Sequence, residues 1–194
     1  VGLKSSSFDV VGPFVSVSLH MHITGLFNVY NTLAAIGTAH AEGVDTDVID
    51  KAVQTFYSVP GRFELVEAGQ DFAIVVDYSH TPDSLEKALT TARAMKPNRI
   101  ITVFGCGGDR DRTKRPIMGG IAAQYADIPI VTSDNPRSED PEFIVSEVEG
   151  GVRAALKEGQ RHEVIVDRRQ AIYKAIEIAE PGDIVLIAGK GHET

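Results

Sequence analysis

The stretch Ile128-Pro129-Ile130-Val131-Thr132-Ser133-Asp134-Asn135-Pro136-Arg137 decides how this chain folds. Its first six residues form a short apolar run that reads as a buried strand. Pro136 then blocks any immediate helix, since proline lacks an N–H and its ring crowds the preceding turn. A carboxylate, an amide and a guanidinium (Asp134, Asn135, Arg137) are therefore set on a stiff turn at a strand's C-terminal end. Open α/β sheets bind their ligands outside those ends. Asp and Arg this close suit a ligand with one positive and one negative end, such as an amino acid. Alone, the tetrapeptide reads more simply as a solvated turn with a local ion pair, so its surroundings must decide.

Outward from that stretch the chain repeats strand, loop, helix. Residues 63–68, 72–78, 100–104, 164–166 and 183–188 are strand-like. Thr81-Pro82 starts a helix with proline in its first turn and Leu85, Ala88, Leu89 and Ala92 on one face. Residues 116–126 and 170–179 read as further helices, and Asp140 caps one that begins at Pro141 and runs to Lys157. Unbroken apolar strands alternating with amphipathic helices predict an α/β fold, a mostly parallel sheet with helices on both faces. Before the Ser58-Val59-Pro60-Gly61 punctuation the pattern differs. There Phe8, Val10, Phe14, Val15, Val17 and Leu19 alternate loosely around Gly12-Pro13, predicting two short strands and a turn. Helices are expected over 28–41, stopped by Gly43, and over 46–56, capped by Asp45 or Thr46.

Composition narrows the function. With 194 residues the chain can bury a sizeable core in one or two domains. A net charge of −8 argues against a nucleic-acid surface, which needs a basic footprint. The one cysteine, Cys106, excludes an internal disulfide framework and fits a reducing cytosol. No apolar run approaches the roughly 20 residues that span a bilayer, so a soluble, cytoplasmic protein away from membranes is expected.

If the strands at 72–78, 100–104, 128–133 and 183–188 run parallel, their C-terminal ends share one rim. That rim collects Asp77-Tyr78-Ser79-His80, Gly105-Cys106-Gly107-Gly108-Asp109-Arg110, Asp134 to Arg137, and Gly189-Lys190-Gly191-His192-Glu193. The glycine-rich segment is no dinucleotide fingerprint, because Arg110 stands where the third glycine belongs. Gly189-Lys190-Gly191 is no phosphate loop, since no Ser or Thr follows the lysine. Cys106 reads as a small residue in a tight turn rather than a nucleophile. His20 and His22 read as strand histidines lacking a third metal ligand. The charged run from Asp109 to Arg115 reads as a solvated loop, with Arg110 retained as a candidate anion ligand.

Six motifs together resemble one family. They are Gly25-Leu26-Phe27-Asn28-Val29-Tyr30-Asn31, Gly61-Arg62-Phe63-Glu64, Asp77-Tyr78-Ser79-His80-Thr81-Pro82, the run from Gly105 to Arg115, Asp134 to Arg137, and Gly189 to Glu193. In this order the chain resembles the C-terminal part of a Mur ligase, of the branch that adds meso-diaminopimelate to UDP-N-acetylmuramoyl-L-alanyl-D-glutamate. Leu26 and Ser79 depart from the Arg and Ala of that pattern. The resemblance implies that residues 1–58 are the tail of a central ATP-binding domain. It implies that residues 59–194 are a Rossmann-like C-terminal domain lacking its last residues. It further implies an ATP- and Mg2+-dependent ligase of peptidoglycan precursor synthesis, working through an acyl phosphate.

Carried over by position, Asn28 and Asn31 are expected on the adenine side, Arg62 at the phosphates, Asp77 at a ribose hydroxyl and His80 beside the nucleotide. Arg110, Asp134, Asn135, Pro136, Arg137, Gly189 and Glu193 are expected to form the diaminopimelate pocket. No Gly-x-x-x-x-Gly-Lys-Ser/Thr loop occurs in the chain, so by itself it is expected to be inactive. The alternatives are a lysine-adding Mur ligase, a folylpolyglutamate synthase-like ligase, or a non-catalytic ligand-binding module.

Overall fold

The computed structural model describes residues 5–12 and 16–191. The chain divides into two compact units, Val1–Val59 and Pro60–Thr194.

In the first unit β1 (Ser6–Val11) and β2 (Ser16–Met21) pair antiparallel, from Ser6 opposite Met21 to Val11 opposite Ser16. The expected turn lies partly outside the described residues, as do Pro13, Phe14 and Val15. Helix α1 (Leu26–Ala41) begins two residues ahead of the expected start, and Gly43 (φ +79°) follows its end in the left-handed region that glycine tolerates. Helix α2 (Thr46–Thr55) has Asp45 at its N-cap position, yet the side chain makes no capping bond. Leu19, Ile36 and Ile49 form the small core, with Phe8, Val10 and Val17 packed against it.

The second unit is a six-stranded sheet in the order β3-β4-β8-β5-β6-β7. Its strands are β3 (Glu64–Val66), β4 (Ala73–Asp77), β5 (Ile100–Phe104), β6 (Ile128–Val131), β7 (Glu163–Val164) and β8 (Ile184–Ala188). All neighbours run parallel except β3, the antiparallel edge strand. Helices α3 (Pro82–Ala94), α4 (Lys114–Tyr125) and α5 (Pro141–Ala155) pack in sequence on one face, and α6 (Arg168–Ile178) covers the other.

Strand periodicity of two explains the layers. Ile74, Val185, Ile101 and Ile128 lie side by side across four strands, and Val76, Ile187, Val103 and Ile130 form the next row. Both rows face Ala171 and Ala175 of α6. The intervening residues Ile100, Phe104, Ile184 and Leu186 are equally buried and face the other helices. Leu85, Ala88, Leu89 and Ala92 are the buried stripe of α3, as their spacing predicts, and Thr81 with Ser84 closes a reciprocal capping box at its start. Asp140 accepts a hydrogen bond from the Glu142 N–H and so caps α5.

Two local readings need correction. The edge strand is shorter than 63–68, because Phe63 sits at φ 51° and the chain bends there before pairing can begin. Helix α4 starts at Lys114 rather than Pro116, and Arg115 in its first turn is fully buried, so the run from Asp109 to Arg115 is only partly a solvated loop. A buried guanidinium requires partners, and it has them in Glu139 and Glu147.

Candidate functional site

The strand order positions the site. From β4 the chain skips a place to β5, continues through β6 and β7, and returns to insert β8 between β4 and β5. Loops leaving β4, β5, β6 and β8 therefore open on one rim, at the point where the sheet's winding reverses. A cavity of about 380 Å³ lies there, lined among others by His80, Arg110, Lys114, Asp134, Asn135, Arg137 and Gly189.

The loops after β5 and β6 are fastened to each other. Gly108 N–H donates to the Asn135 carbonyl (2.9 Å), and Arg137 Nη1 donates to the Gly108 carbonyl (2.6 Å). The Asp109 N–H donates to Glu139 (2.6 Å), while the Asp109 carboxylate accepts from the Ser138 N–H (3.1 Å) and hydroxyl (2.7 Å). A Cβ at Gly108 would stand 1.9 Å from the Pro136 carbonyl oxygen, so only glycine permits this approach. The glycine-rich segment is thus a packing device that brings two loops to contact distance. Asp109 (φ 50°) and Arg137 (φ 54°) both adopt the left-handed conformation that side chains disfavour.

Charges in and around the cavity are paired by geometry. Lys190 Nζ lies 3.1 Å from Asp134 Oδ1 and 3.3 Å from Asn135 Oδ1. Lys114 Nζ donates to the His80 carbonyl at 2.9 Å. Glu139, gripped by Arg115 and receiving the Asp109 N–H, is held down at a pKa of about 2. Burial pushes the Cys106 thiol up to about 11, and its Sγ rests 3.6 Å from Met118 Sδ, so it is a poor nucleophile at neutral pH.

On the β4 side, Asp77 accepts from the Phe63 N–H (2.8 Å), the Ser79 N–H (2.9 Å) and the Ser79 hydroxyl. Burial raises its pKa against these bonds and against Arg62. A carboxylate has about four acceptor directions, so one more donor can still be taken. The Arg62 guanidinium lies 4.8 Å from the centroid of the Tyr78 ring, and that ring lies 4.6 Å from His80. Asn28 and Asn31 belong to the first unit. There Asn28 Nδ2 donates to the Thr24 carbonyl at 2.7 Å, and Asn31 Nδ2 lies 3.4 Å from Asn28 Oδ1. In that unit His22 stacks on Tyr57 at 4.4 Å.

Of the expected amino-acid pocket, Arg110, Asp134, Asn135, Arg137 and Gly189 line the one cavity, whereas Pro136 does not line it and packs its carbonyl against Gly108. Glu193 and His192 lie outside the described residues. Sequence reasoning did not select Lys190, Lys114, Glu139 or Arg115. Lys190 was weighed only against the phosphate-loop pattern. The other cations sat in a charged run whose solvated reading hid them.

The sheet order and the four-loop rim define a Rossmann-like α/β domain. Residues 61–191 match the family described as Mur ligase, glutamate ligase domain, and the chain belongs to that family. It is 53% identical over 193 residues to the UDP-N-acetylmuramoyl-L-alanyl-D-glutamate--2,6-diaminopimelate ligase of Syntrophomonas wolfei subsp. wolfei, a match covering 100% of this chain and 39% of that protein. A solved structure of a ligase with the same description is 41% identical, with a TM-score of 0.69, covering 99% of this chain and 39% of that one. A folylpolyglutamate synthase from Thermotoga maritima, at 22% identity and a TM-score of 0.73, covers 97% of this chain and 42% of its own, and shares the fold. The chain therefore spans 39% of the length of the first of these relatives.

Proposed function

We propose that this chain is the amino-acid-receiving part of an ATP-dependent ligase that joins meso-diaminopimelate to UDP-N-acetylmuramoyl-L-alanyl-D-glutamate for peptidoglycan precursor synthesis in the cytoplasm. On this reading residues 1–58 belong to a central ATP-binding domain, and residues 59–194 to the domain that brings in the amino acid. The observation that carries it is the single cavity to which three separate loops contribute Arg110, Asp134, Asn135, Arg137 and Gly189. The zwitterionic end of diaminopimelate needs both signs of charge within a few ångströms. Arg110 and Arg137 offer cationic forks for its carboxylate, while Asp134 and Asn135 offer acceptors for its ammonium. The Lys190 ammonium against Asp134 and Asn135 supports the second half, since that corner already accommodates such a group.

The chemistry asks for positioning and charge neutralisation more than for a protein nucleophile. The γ-phosphoryl group of ATP passes to the substrate carboxylate with release of ADP. The amine then attacks the acyl carbon, phosphate leaves, and the amine loses a proton. Arg62, Asp77 and His80 are proposed for the nucleotide, with Asn28 and Asn31 on its adenine side. Among the described residues no three His, Cys, Asp or Glu side chains gather as a metal site. Among them, too, no helix is long and apolar enough to cross a membrane.

The test is amino-acid-dependent ADP release by the complete enzyme, given the UDP-linked dipeptide and either diaminopimelate or lysine. Strong preference for diaminopimelate is expected. Equal turnover with lysine would move the assignment to the lysine-adding branch, and release independent of any amino acid would overturn it.

A further inference from the structure

Arg115 is the largest fully buried side chain of the domain, and it is charged. It lies outside the cavity, on α4. Its Nη1 and Nη2 donate to the two oxygens of Glu139 (3.1 and 2.8 Å), and Nη1 also donates to Glu147 on α5 (2.5 Å). Burying such a cluster is not an efficient way to stabilise a fold, because desolvation offsets much of the attraction and apolar residues of similar volume often do as well. Its use must be sought in what it holds.

It holds the turn that carries Arg137. Glu139 takes the Asp109 N–H, and the Asp109 carboxylate takes the N–H and hydroxyl of Ser138, the residue following Arg137. The Glu139 N–H in turn donates to the Pro136 carbonyl (3.0 Å), which closes the turn around Arg137. The two left-handed side-chain-bearing residues of the rim, Asp109 and Arg137, thus stand at consecutive links of a chain that begins at Arg115. Residues held in such conformations persist only where their surroundings over-determine them.

We infer that Arg115, through Glu139 and Asp109, is the positioning residue of the amino-acid site. It locks the 134–138 turn so that Arg137 and Asp134 face the cavity with fixed spacing. The link to diaminopimelate rests on the function proposed above; the link to turn geometry does not.

The experiment therefore has two arms. In the complete ligase, Glu139→Gln should raise the KM for meso-diaminopimelate about 100-fold, the scale of a 1 Å misplacement, while the KM for ATP stays within about twofold. Arg115→Lys keeps the buried charge but loses the two-armed grip, and should act in the same selective way. Ser138→Ala, at an exposed position, cuts only the last link and should give a smaller selective rise even if the other variants fold poorly. Equal rises for both substrates, or a lower Tm with the diaminopimelate KM unchanged, would overturn the inference. In the ligand-free 194-residue chain, Glu139→Gln should shift or broaden the amide signals of residues 107–109 and 135–138 while leaving α6 and β8 unmoved. Perturbation spread evenly through the domain would also overturn it. This arm involves no substrate, so an enzyme that ignores diaminopimelate would sink the proposed function and still leave the positioning role decided.

Discussion

Removing the Arg137 guanidinium should change which amino acid the enzyme prefers, by an amount set by the bond it would make to a carboxylate. Its Nη1 is committed to the Gly108 carbonyl at 2.6 Å, which fixes the side chain along the cavity wall. A charge-assisted hydrogen bond from such a group to a carboxylate is worth about 1.5–3 kcal/mol. At about 1.4 kcal/mol per decade, that is roughly 10-fold to somewhat over 100-fold in kcat/KM. Arg137→Ala also takes a donor from Gly108 and leaves a side chain at φ 54°, so part of the loss falls on every substrate.

That shared part cancels in a ratio. The quantity to measure is kcat/KM for diaminopimelate divided by kcat/KM for lysine, in wild type, Arg137→Ala, Arg137→Lys and Arg137→Gly. The Ala variant should lower the ratio about 10- to 100-fold, because lysine lacks the distal carboxylate. The Lys variant should recover little, since an ammonium cannot both hold the Gly108 carbonyl and fork a carboxylate. The Gly variant relieves the left-handed backbone and should match Ala in the ratio while exceeding it in stability. If the ratio is the same in all four proteins, Arg137 serves the loop or the shared chemistry, and the reasoning is wrong.

Two further outcomes are expected. Gly108→Ala must push the new Cβ away from the Pro136 carbonyl oxygen, 1.9 Å off, whereas Gly150→Ala on α5 meets nothing within 4 Å and has no left-handed backbone to strain. Gly108→Ala should therefore cost about 1–3 kcal/mol, a fall of a few degrees in Tm by calorimetry, while Gly150→Ala should not lower Tm; an unchanged Tm for Gly108→Ala would show that the loops do not interlock. Glu139 has its folded pKa depressed to about 2 from 4.5, so its contribution to stability is complete above pH 4.5 and is lost as pH falls toward 2. Urea unfolding across that window should show a flatter acid limb for Glu139→Gln than for wild type; parallel limbs would mean that Glu139 is not held as described.

The layers were legible in sequence because each rests on a local rule. Apolar runs of strand length, the Thr81-Pro82 start and the Asp140-Pro141 cap each dictate their own element, and residues 100–104 form the strand that their run of apolar and β-branched side chains predicts. The rim followed from parallel strands having like ends. What stayed hidden was pairing at a distance. Nothing adjacent to Arg115 reveals that Glu139 and Glu147, more than 20 positions on, will bury it. Nor does Gly189-Lys190-Gly191 reveal that its ammonium reaches Asp134. Boundaries slipped where such contacts extend or end an element: α4 gains two residues at Lys114, whose Nζ finds the His80 carbonyl, and β3 shrinks where Asp77 draws in the Phe63 N–H.

The cavity's charge runs against the chain's. The chain carries a net −8, yet Arg110, Lys114 and Arg137 face the cavity against Asp111 and Asp134, with Lys190 close by on Asp134. At physiological salt, fields from exposed charges fade over about 8 Å, so the acidic exterior does little to a ligand already inside. A simple dicarboxylate gains from the arginines but leaves Asp134 facing like charge, whereas a simple diamine gains from Asp134 but leaves the arginines unsatisfied. On the function proposed above, a group bearing both charges, such as an α-amino acid, would satisfy both sides at once. The backbone that holds Asp134 three residues from Arg137, on a turn pinned to Gly108 and Asp109, sets the spacing between the two sides. Rejection of near-relatives then rests most on Asp134, whose side chain is only 10% exposed and would be left facing like charge, because Arg110 and Arg137 are exposed and an unpaired guanidinium there keeps its water. On that reading, selectivity would be a property of the pinned turn as much as of the side chains it carries.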